Sequence, residues 1–467
     1  MSLLALAQLV PFSVATVLGE ADAASGFFAS LMICFLTGGS LFLGFRSSAQ
    51  VKVPKLTVLL PVVAGVSLSF VSGLPFFFIF PELGLVPAYF EGVSLLTTTG
   101  SSAYEGAFKE MVSVTLWRAL AAWIGGFVSI CFVLSILTAV NSGGLQLHRS
   151  TLPFGDSETG YPRLRSVATT LVPLYCLVTA ICCVGLLVSG ETLSSSIMLS
   201  MAVISTTGIT PTGTAVINGL GTQVVVAVFM LVSILNWDVL YARVMQIRAK
   251  HPYGTETKAV LLSLLVGTLI LFAMAFELNV NGLWQSLFAT ISAMSTSGFS
   301  TDGMAPSRDS VTTAALILLV LACLGGAAAG TGGGMKQLRL LIIYRLGRRE
   351  VDRLAHPHGV KALRYQGFKV EKGDVNAVWL LIGAFVLTLV VGTLCLAVLG
   401  IEFQTSLAMA ASSLTLSGPL ANHIDPYFVG FSGLRDADYA ILSILMLVGR
   451  LEATLFLAFF AKSFWRG

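Results

Sequence analysis

Leu96-Thr97-Thr98-Thr99-Gly100-Ser101 is the stretch whose reading decides the fold. The element, hydroxyl residues closed by glycine at the end of a short apolar run, returns three times. It reads Ile204-Ser205-Thr206-Thr207-Gly208-Ile209, then Met294-Ser295-Thr296-Ser297-Gly298-Phe299, then Leu414-Thr415-Leu416-Ser417-Gly418-Pro419. Helix-compatible residues too few to cross a bilayer precede each copy, at 91–96, 192–204, 282–294 and 403–414. Polar loop and a long apolar run follow. The glycines lie 108, 90 and 120 residues apart, which is too uneven for a tight array and points to divergent duplication.

Around these elements the chain is built for lipid. Of its 467 residues 55% are hydrophobic and 11% charged, with a mean hydropathy of +0.88. A soluble domain wets its surface with roughly 25% charged residues, so a soluble enzyme, a disordered chain and a disulfide-rich module are excluded. A membrane helix needs about 20 apolar residues. Runs of that kind occupy 3–19, 26–45, 56–80, 119–140, 166–190, 219–242, 259–276, 310–335, 375–401 and 439–461. Ten spans put both termini on one side. Of the 27 Lys and Arg, four (Lys109, Arg118, Arg308 and Arg435) fall in the odd-numbered connections and Arg450 falls inside the last span. The other 22 collect in even-numbered connections and at the C-terminus, which makes that side cytoplasmic. The opposite side carries acids, among them Glu82, Glu91, Glu191 and Asp425. An acidic vestibule that concentrates cations accounts for this, and so do insertion rules that merely exclude basic residues there.

The short segments carry the chemistry. Irregular backbone at membrane depth is tolerated only inside protein or along a water-filled cavity. Four equivalent segments can surround one axis and offer carbonyl and hydroxyl oxygens that replace the hydration shell of an alkali cation. Glycine lets the backbone aim carbonyls inward, and helix C-termini bring negative partial charge to the axis. A lone Thr-Thr-Gly is an ordinary helix end; four copies at one topological position predict a pore.

A second interruption runs from Gly325 to Gly334, with six glycines in ten residues, followed by Met335 and Lys336. Each glycine costs a helix about 1 kcal/mol relative to Ala. Its loop of Gly330, Thr331, Gly332, Gly333, Gly334 and Lys336 reads as a gate, the alternative being a patch for close helix packing. A phosphate loop is excluded, since no Ser or Thr follows Lys336 and no soluble strand precedes the glycines. Arg450, Glu452 and Asp238 are charges in apolar runs, and charges at such depth pair inside the bundle. Arg450 either bonds carbonyls or an acid near the pore and repels a second cation, or forms a structural pair with an acid such as Asp238. His356 and His358 are too few for a metal site, and the seven cysteines read as apolar packing. No nucleophile–base pair or dinucleotide fingerprint appears, so no enzyme activity is expected.

Two leading spans, four span–half-helix–span units with one glycine per turn, and the Gly325–Lys336 loop together resemble the Trk/Ktr/HKT superfamily of potassium transporters, in its bacterial TrkH/TrkG branch. Gly449-Arg450-Leu451-Glu452 and His356-Pro357 add to the resemblance, which covers the whole chain. The fold it implies is an all-α polytopic membrane protein: two N-terminal transmembrane helices, then four span–pore-helix–span repeats around one pseudo-fourfold pore. The expected boundaries are 1–50 for the two-helix extension and 51–148, 149–250 and 251–350 for the first three repeats. The segment 351–467 holds a cytoplasmic connection and the fourth repeat.

The resemblance further implies K+ uptake across the bacterial inner membrane. Potassium would be ligated by Thr98, Thr99 and Gly100; Thr206, Thr207 and Gly208; Thr296, Ser297 and Gly298; and Leu416, Ser417 and Gly418. Glycine at all four tips points to K+ over Na+, while Leu416 departs from the usual polar residue and leaves a carbonyl only. K+ is the transported ion, and no organic cofactor or nucleic acid is expected. Implied partners are membrane lipid, a second copy of the chain, and a cytosolic nucleotide-binding (NAD or ATP) regulatory ring. The stretch 345–372, with eight basic residues against three acids, suits that ring, although positive-inside bias alone produces such a stretch. A secondary transporter of a small solute with broken helices is the competing reading; it predicts two related halves instead of four units.

Overall fold

The structure, a computed structural model, describes residues 2–45, 54–104, 111–139, 161–213, 215–245, 254–274, 278–301, 311–356, 364–365, 368–369, 372–425, 428 and 430–451. Glu452, His358, Lys109 and Arg308 lie outside the described residues. Three helices lead the chain: α1 (Ser2–Ala7), α2 (Leu9–Leu18) and α3 (Ala21–Phe45). The first unit follows as α4 (Pro54–Ile79), the short α5 (Leu85–Leu96) and α6 (Val112–Ala139). The second is α7 (Tyr161–Val188), the short α8 (Leu193–Ser205), α9 (Leu220–Ile234) and α10 (Trp237–Val244). The third is α11 (Gly254–Met274), the short α12 (Val280–Ser295), α13 (Val311–Leu324) and α14 (Gln337–Ala355). The fourth comprises α15 (Lys372–Val398), the short α16 (Phe403–Thr415), α17 (Ala421–Ile424) and α18 (Asp436–Leu451).

Each long helix satisfies its own backbone and sorts its side chains between protein and lipid. On α7, Leu174, Val178 and Cys182 are buried, while Leu177, Ile181 and Val184 are more than half exposed and equally apolar. Such a face suits hydrocarbon. Among the described residues, six helices are long and apolar enough to cross a membrane, and α9 with α10 makes a bent seventh.

The short helices are the hub of the molecule. Each packs between the two long helices of its own unit and against the second span of the unit before it. Thus α5 touches α4, α6 and α18; α8 touches α7, α9 and α6; α12 touches α11, α13 and α9; α16 touches α15, α18 and α13. The contact of α18 with α5 closes the circle. Helix-bound glycines permit the close approach: a Cβ on Gly125 would meet Leu96 O at 2.5 Å, and one on Gly449 would strike Leu414 O. Parallel two-residue strands β1 (Val216–Ile217) and β2 (Ser300–Thr301) join the loops after the second and third turns. The leading helices lean on the first unit, where the Glu20 carboxylate accepts from Val112 N at 2.8 Å and caps α6.

Three expected spans differ. The run 3–19 is interrupted at Gln8 between α1 and α2, and the run expected from 119 begins seven residues earlier, at Val112. The run 219–242 is not one helix: α9 and α10 meet at 101° across Leu235 and Asn236. Leu235 is extended, and the Asn236 side chain accepts from Asp238 N at 3.0 Å to start the new helix. Asp238 therefore lies in the first turn after a break, not in mid-span. The first short helix starts at Leu85, ahead of the expected 91.

Candidate functional site

All four short helices end in the same way. At the first, Thr98 N donates to Leu95 O (3.0 Å) and Thr99 N to Ser94 O (2.8 Å). The matching pairs are Thr206 N to Val203 O (3.2 Å) with Thr207 N to Ala202 O (3.0 Å), and Thr296 N to Ala293 O (3.0 Å) with Ser297 N to Ser292 O (3.1 Å). In the fourth, Leu416 N donates to Ser413 O (3.3 Å) and Ser417 N to Ser412 O (2.8 Å). This is the Schellman ending, whose left-handed residue is ordinarily glycine. Here it is Thr98 (φ 61°), Thr206 (φ 60°), Thr296 (φ 58°) and Leu416 (φ 62°). A β-branched residue at positive φ is a backbone outlier that costs on the order of 1–3 kcal/mol and persists only where its surroundings impose it.

The tip glycines then meet one another's segments in cyclic order. A Cβ on Gly100 would strike Thr207 O, and one on Gly208 would strike Ser297 O. One on Gly298 would meet Pro419 Cβ at 2.7 Å, and one on Gly418 would meet Thr99 O at 2.8 Å. Gly418 N also donates to Thr99 O at 2.7 Å, joining the last unit to the first. Gly100, Gly208 and Gly298 sit at φ 79°, 70° and 72°; Gly418 instead opens a 3-10 turn with Pro419 and Leu420. The structure thus brings all twelve expected filter residues into one ring, with the fourth segment built differently. Above the glycines lies a mouth cavity of about 90 Å³, lined by Ser101, Thr210, Asn422 and Arg118 among others.

Hydroxyls brace the ring from behind. Thr97 Oγ1 lies 2.8 Å from Thr99 Oγ1, Ser205 Oγ 2.8 Å from Thr207 Oγ1, and Ser295 Oγ 2.7 Å from Ser297 Oγ. In the fourth segment Thr415 Oγ1 donates to Ala411 O (2.8 Å), and the buried Ser417 hydroxyl has no hydrogen-bond partner among the described residues. Glu91 and Arg118 form a buried ion pair at 2.8 Å behind the first turn. The same carboxylate accepts from Ser102 Oγ (2.9 Å) and Ala103 N (3.1 Å), which fixes the chain leaving that turn. Asp425 is likewise buried, accepting from Thr405 Oγ1 at 2.5 Å. Two of the acids expected to face a vestibule are therefore internal supports.

On the other side of the ring, against the ends of the short helices, lies the glycine-rich loop between α13 and α14. A Cβ on Gly332 would meet Ser295 O at 2.7 Å; one on Gly333 would strike Thr415 O and meet Leu416 Cβ at 3.0 Å. Gly333 N donates to Thr296 Oγ1 at 2.8 Å. Leu416, apolar where the other segments have Thr, is the wall against which Gly333 and Gly449 pack. The earlier half of the loop is seated on the α9–α10 break. Ala327 N donates to Ile234 O (3.0 Å), and both Thr331 N and Thr331 Oγ1 donate to Ser233 O (3.2 Å each). A Cβ on Gly330 would meet Ile234 O at 2.6 Å. Gly334 (φ 75°) returns the chain past Gly325.

Two cations hold three successive carbonyls of the loop. Lys336 Nζ donates to Gly330 O (3.2 Å) and to Gly332 O. Arg450 Nη1 donates to Thr331 O (2.7 Å) while its Nε donates to Ser129 Oγ (2.5 Å). Arg450 thus bonds a backbone carbonyl of the loop. Every gate residue expected from the sequence is in this cluster. Sequence reasoning missed Glu256, whose carboxylate accepts from Ala328 N (2.6 Å) and Asn236 Nδ2 (3.4 Å), tying the loop to the break. It also missed Thr97, Ser205 and Ser295, although a hydroxyl residue stands three before the glycine in all four copies.

Comparison with known proteins agrees with this architecture. The sequence matches the TrkH family, described as cation transport proteins, over residues 23–321 and 283–466. This chain belongs to the TrkH family. It is 29% identical over 407 residues to the Trk system potassium uptake protein TrkH of Salmonella typhimurium, covering 85% of this chain and 83% of the relative. It is 27% identical over 473 residues to TrkI of Halomonas elongata, with 99% and 94% covered. It is 26% identical over 453 residues to TrkG of Escherichia coli, with 94% and 91% covered. The crystal structure of the potassium transporter TrkH from Vibrio parahaemolyticus superposes with a TM-score of 0.85 at 25% identity, over 100% of this chain and 97% of that one. The chain is a multi-pass membrane protein of the TrkH/TrkG type.

Proposed function

We propose that this protein takes up K+ across the bacterial inner membrane through the ring of four turns. The observation that carries the reading is the cyclic contact of the glycines at the ends of four converging helices. Helix C-termini carry negative partial charge, and backbone carbonyls in a closed ring replace the water of a dehydrated cation. The ligands are carbonyls of Thr98, Thr99 and Gly100; Thr206, Thr207 and Gly208; Thr296, Ser297 and Gly298; and Leu416, Ser417 and Gly418. The potassium uptake activity named for the relatives supports K+ as the ion.

The loop 330–336 is the gate in this reading. It lies against the inner ends of the third and fourth turns and is held by two side-chain cations that a displaced loop would leave without those carbonyls. Both termini are cytoplasmic, and the mouth cavity faces the periplasm. The repeats run 51–148, 149–250, 251–350 and 351–467 after a two-helix extension. The chain acts as a homodimer, with a nucleotide-binding ring docking at the basic helix α14 and the stretch that follows. On α14, Arg349 holds the exposed Glu350 carboxyl below its ordinary range.

The test is tracer flux into proteoliposomes of the purified protein. A membrane potential, inside negative, should drive Rb+ uptake that excess K+ suppresses and that Na+ and small organic solutes do not. Uptake of an organic solute with no Rb+ flux would replace this reading with the solute-transporter one. Repeating the measurement with a pH gradient separates coupled from passive transport.

A further inference from the structure

We infer that Thr97, Ser205 and Ser295 are positioning residues for cation selectivity: each ties the hydroxyl next to a tip glycine away from the ion, so that carbonyls alone face it. The inference rests on the ring being the K+ filter, and it concerns residues outside the ligand set.

The argument is one of proton accounting. Thr97 Oγ1 is 2.7 Å from Val93 O, Ser205 Oγ is 2.8 Å from Met201 O and Ser295 Oγ is 3.0 Å from Ser292 O. A hydroxyl has one proton. With that proton given to the helix carbonyl, each of these oxygens can accept from the neighbour two residues on, at 2.7–2.8 Å, while Thr207 Oγ1 has a second acceptor in Ala202 O at 3.2 Å. The hydroxyls of Thr99, Thr207 and Ser297 are therefore turned back toward the short helix as donors. The left-handed residue caught between each pair, Thr98, Thr206 or Thr296, is clamped on both sides of its strained φ. All six paired hydroxyls belong to buried residues, so no bulk water competes for them.

The fourth segment is an internal comparison. It carries the same residue types, and Thr415 likewise donates to the carbonyl four residues back, Ala411 O, but Ser417 Oγ finds no hydrogen-bond partner among the described residues. Its turn is held instead by Pro419 against Gly298 and by Leu416 against Gly333. Three segments are stapled and one is wedged. The staples have a functional consequence: with one cut, the freed hydroxyl can swing toward the axis and follow a smaller ion inward, which a carbonyl fixed in a turn cannot do. Cutting a staple therefore favours Na+ more than it reduces K+ passage.

The experiment is the Rb+/Na+ flux ratio in proteoliposomes. Thr97→Val and Ser295→Ala should each lower the ratio about fivefold, the worth of one hydrogen bond near 1 kcal/mol, and Ser205→Ala should lower it less, because Thr207 Oγ1 keeps Ala202 O as an acceptor. Thr97→Ser and Ser205→Thr should keep it, and Thr415→Val should leave it unchanged. Adding Thr99→Val to Thr97→Val removes the hydroxyl that swings and should recover part of the ratio, an outcome that simple destabilisation does not produce. Unchanged ratios in the alanine variants, or a further loss in the double variant, overturn the inference. Should Thr97→Val not fold, Ser295→Ala, which removes one oxygen, decides it alone. A wild-type protein without Rb+ over Na+ preference overturns the filter reading itself, whereas a selective wild type with indifferent variants overturns only the staples.

Discussion

At the scale of single residues the site runs on backbone conformations that side chains resist. Gly208 takes φ 70° with Ser297 O against the place of its missing Cβ. Gly208→Ala adds a left-handed cost of roughly 1–2 kcal/mol to that clash. Rb+ flux should fall by about tenfold or more, since 1.4 kcal/mol is tenfold, and the unfolding midpoint of the purified protein should fall with it, because the folded state bears the strain. The buried pair acts through charge instead. Arg118→Met strands the Glu91 carboxylate in the core and should cost about 3–5 kcal/mol, read as a large fall in the unfolding midpoint. Arg353→Met removes an exposed partner of the exposed Glu350 and should leave the midpoint nearly unchanged. Equal shifts for the two arginines would show that burial is not what makes the Glu91 pair matter.

At the scale of elements the instructive region is the glycine-rich loop with the bent pair α9–α10. Seated against Ser295, Thr415 and Ile234, the loop has no room for a Cβ at Gly330, Gly332 or Gly333. Arg450→Gln removes the donors to Thr331 O and Ser129 Oγ, and Glu256→Ala removes the acceptor for Ala328 N. Both loosen the seat, so tracer flux without any regulatory partner should rise severalfold in each; unchanged flux in both would separate the loop from gating. The ends of the four short helices were legible in the sequence because Thr/Ser-Gly recurs after a half-length apolar run. So was the broken helix at Gly325–Gly334, because six glycines cannot hold one. The bend at Leu235 was not legible. Ser233-Ile234-Leu235-Asn236-Trp237 contains neither Gly nor Pro, and its apolar run continues smoothly. The bend exists because a segment ninety residues later satisfies the carbonyls it frees, and Asn236 with Asp238 at the new helix start is only a weak local sign. Glu91 was misplaced for a related reason: a carboxylate in a polar connection reads as solvated until Arg118, 27 residues on, is seen to bury it.

At the scale of the whole molecule, cyclic packing sets one axis with two unlike ends. Each short helix leans on the preceding unit's second span, and α18 against α5 with Gly418 N on Thr99 O closes the sequence-distant seam. A mouth cavity of about 90 Å³ opens on the glycine side. The loop and, beyond it, the basic α14 lie on the side of the helix ends. If that axis is a transmembrane path, reagents applied from the two faces must find different residues. Asn422→Cys lies at the mouth and Arg353→Cys near the exposed end of α14. In intact cells a membrane-impermeant maleimide should label Asn422→Cys and leave Arg353→Cys untouched until the inner membrane is permeabilised. Two native cysteines are exposed, Cys176 and Cys395, and both sit inside long apolar helices, where the reagent in water does not reach them. The wild-type background should accordingly be low. Labelling of both introduced thiols from the same face would break the axis into two unrelated features, since no pore can present its mouth and its gate to one compartment.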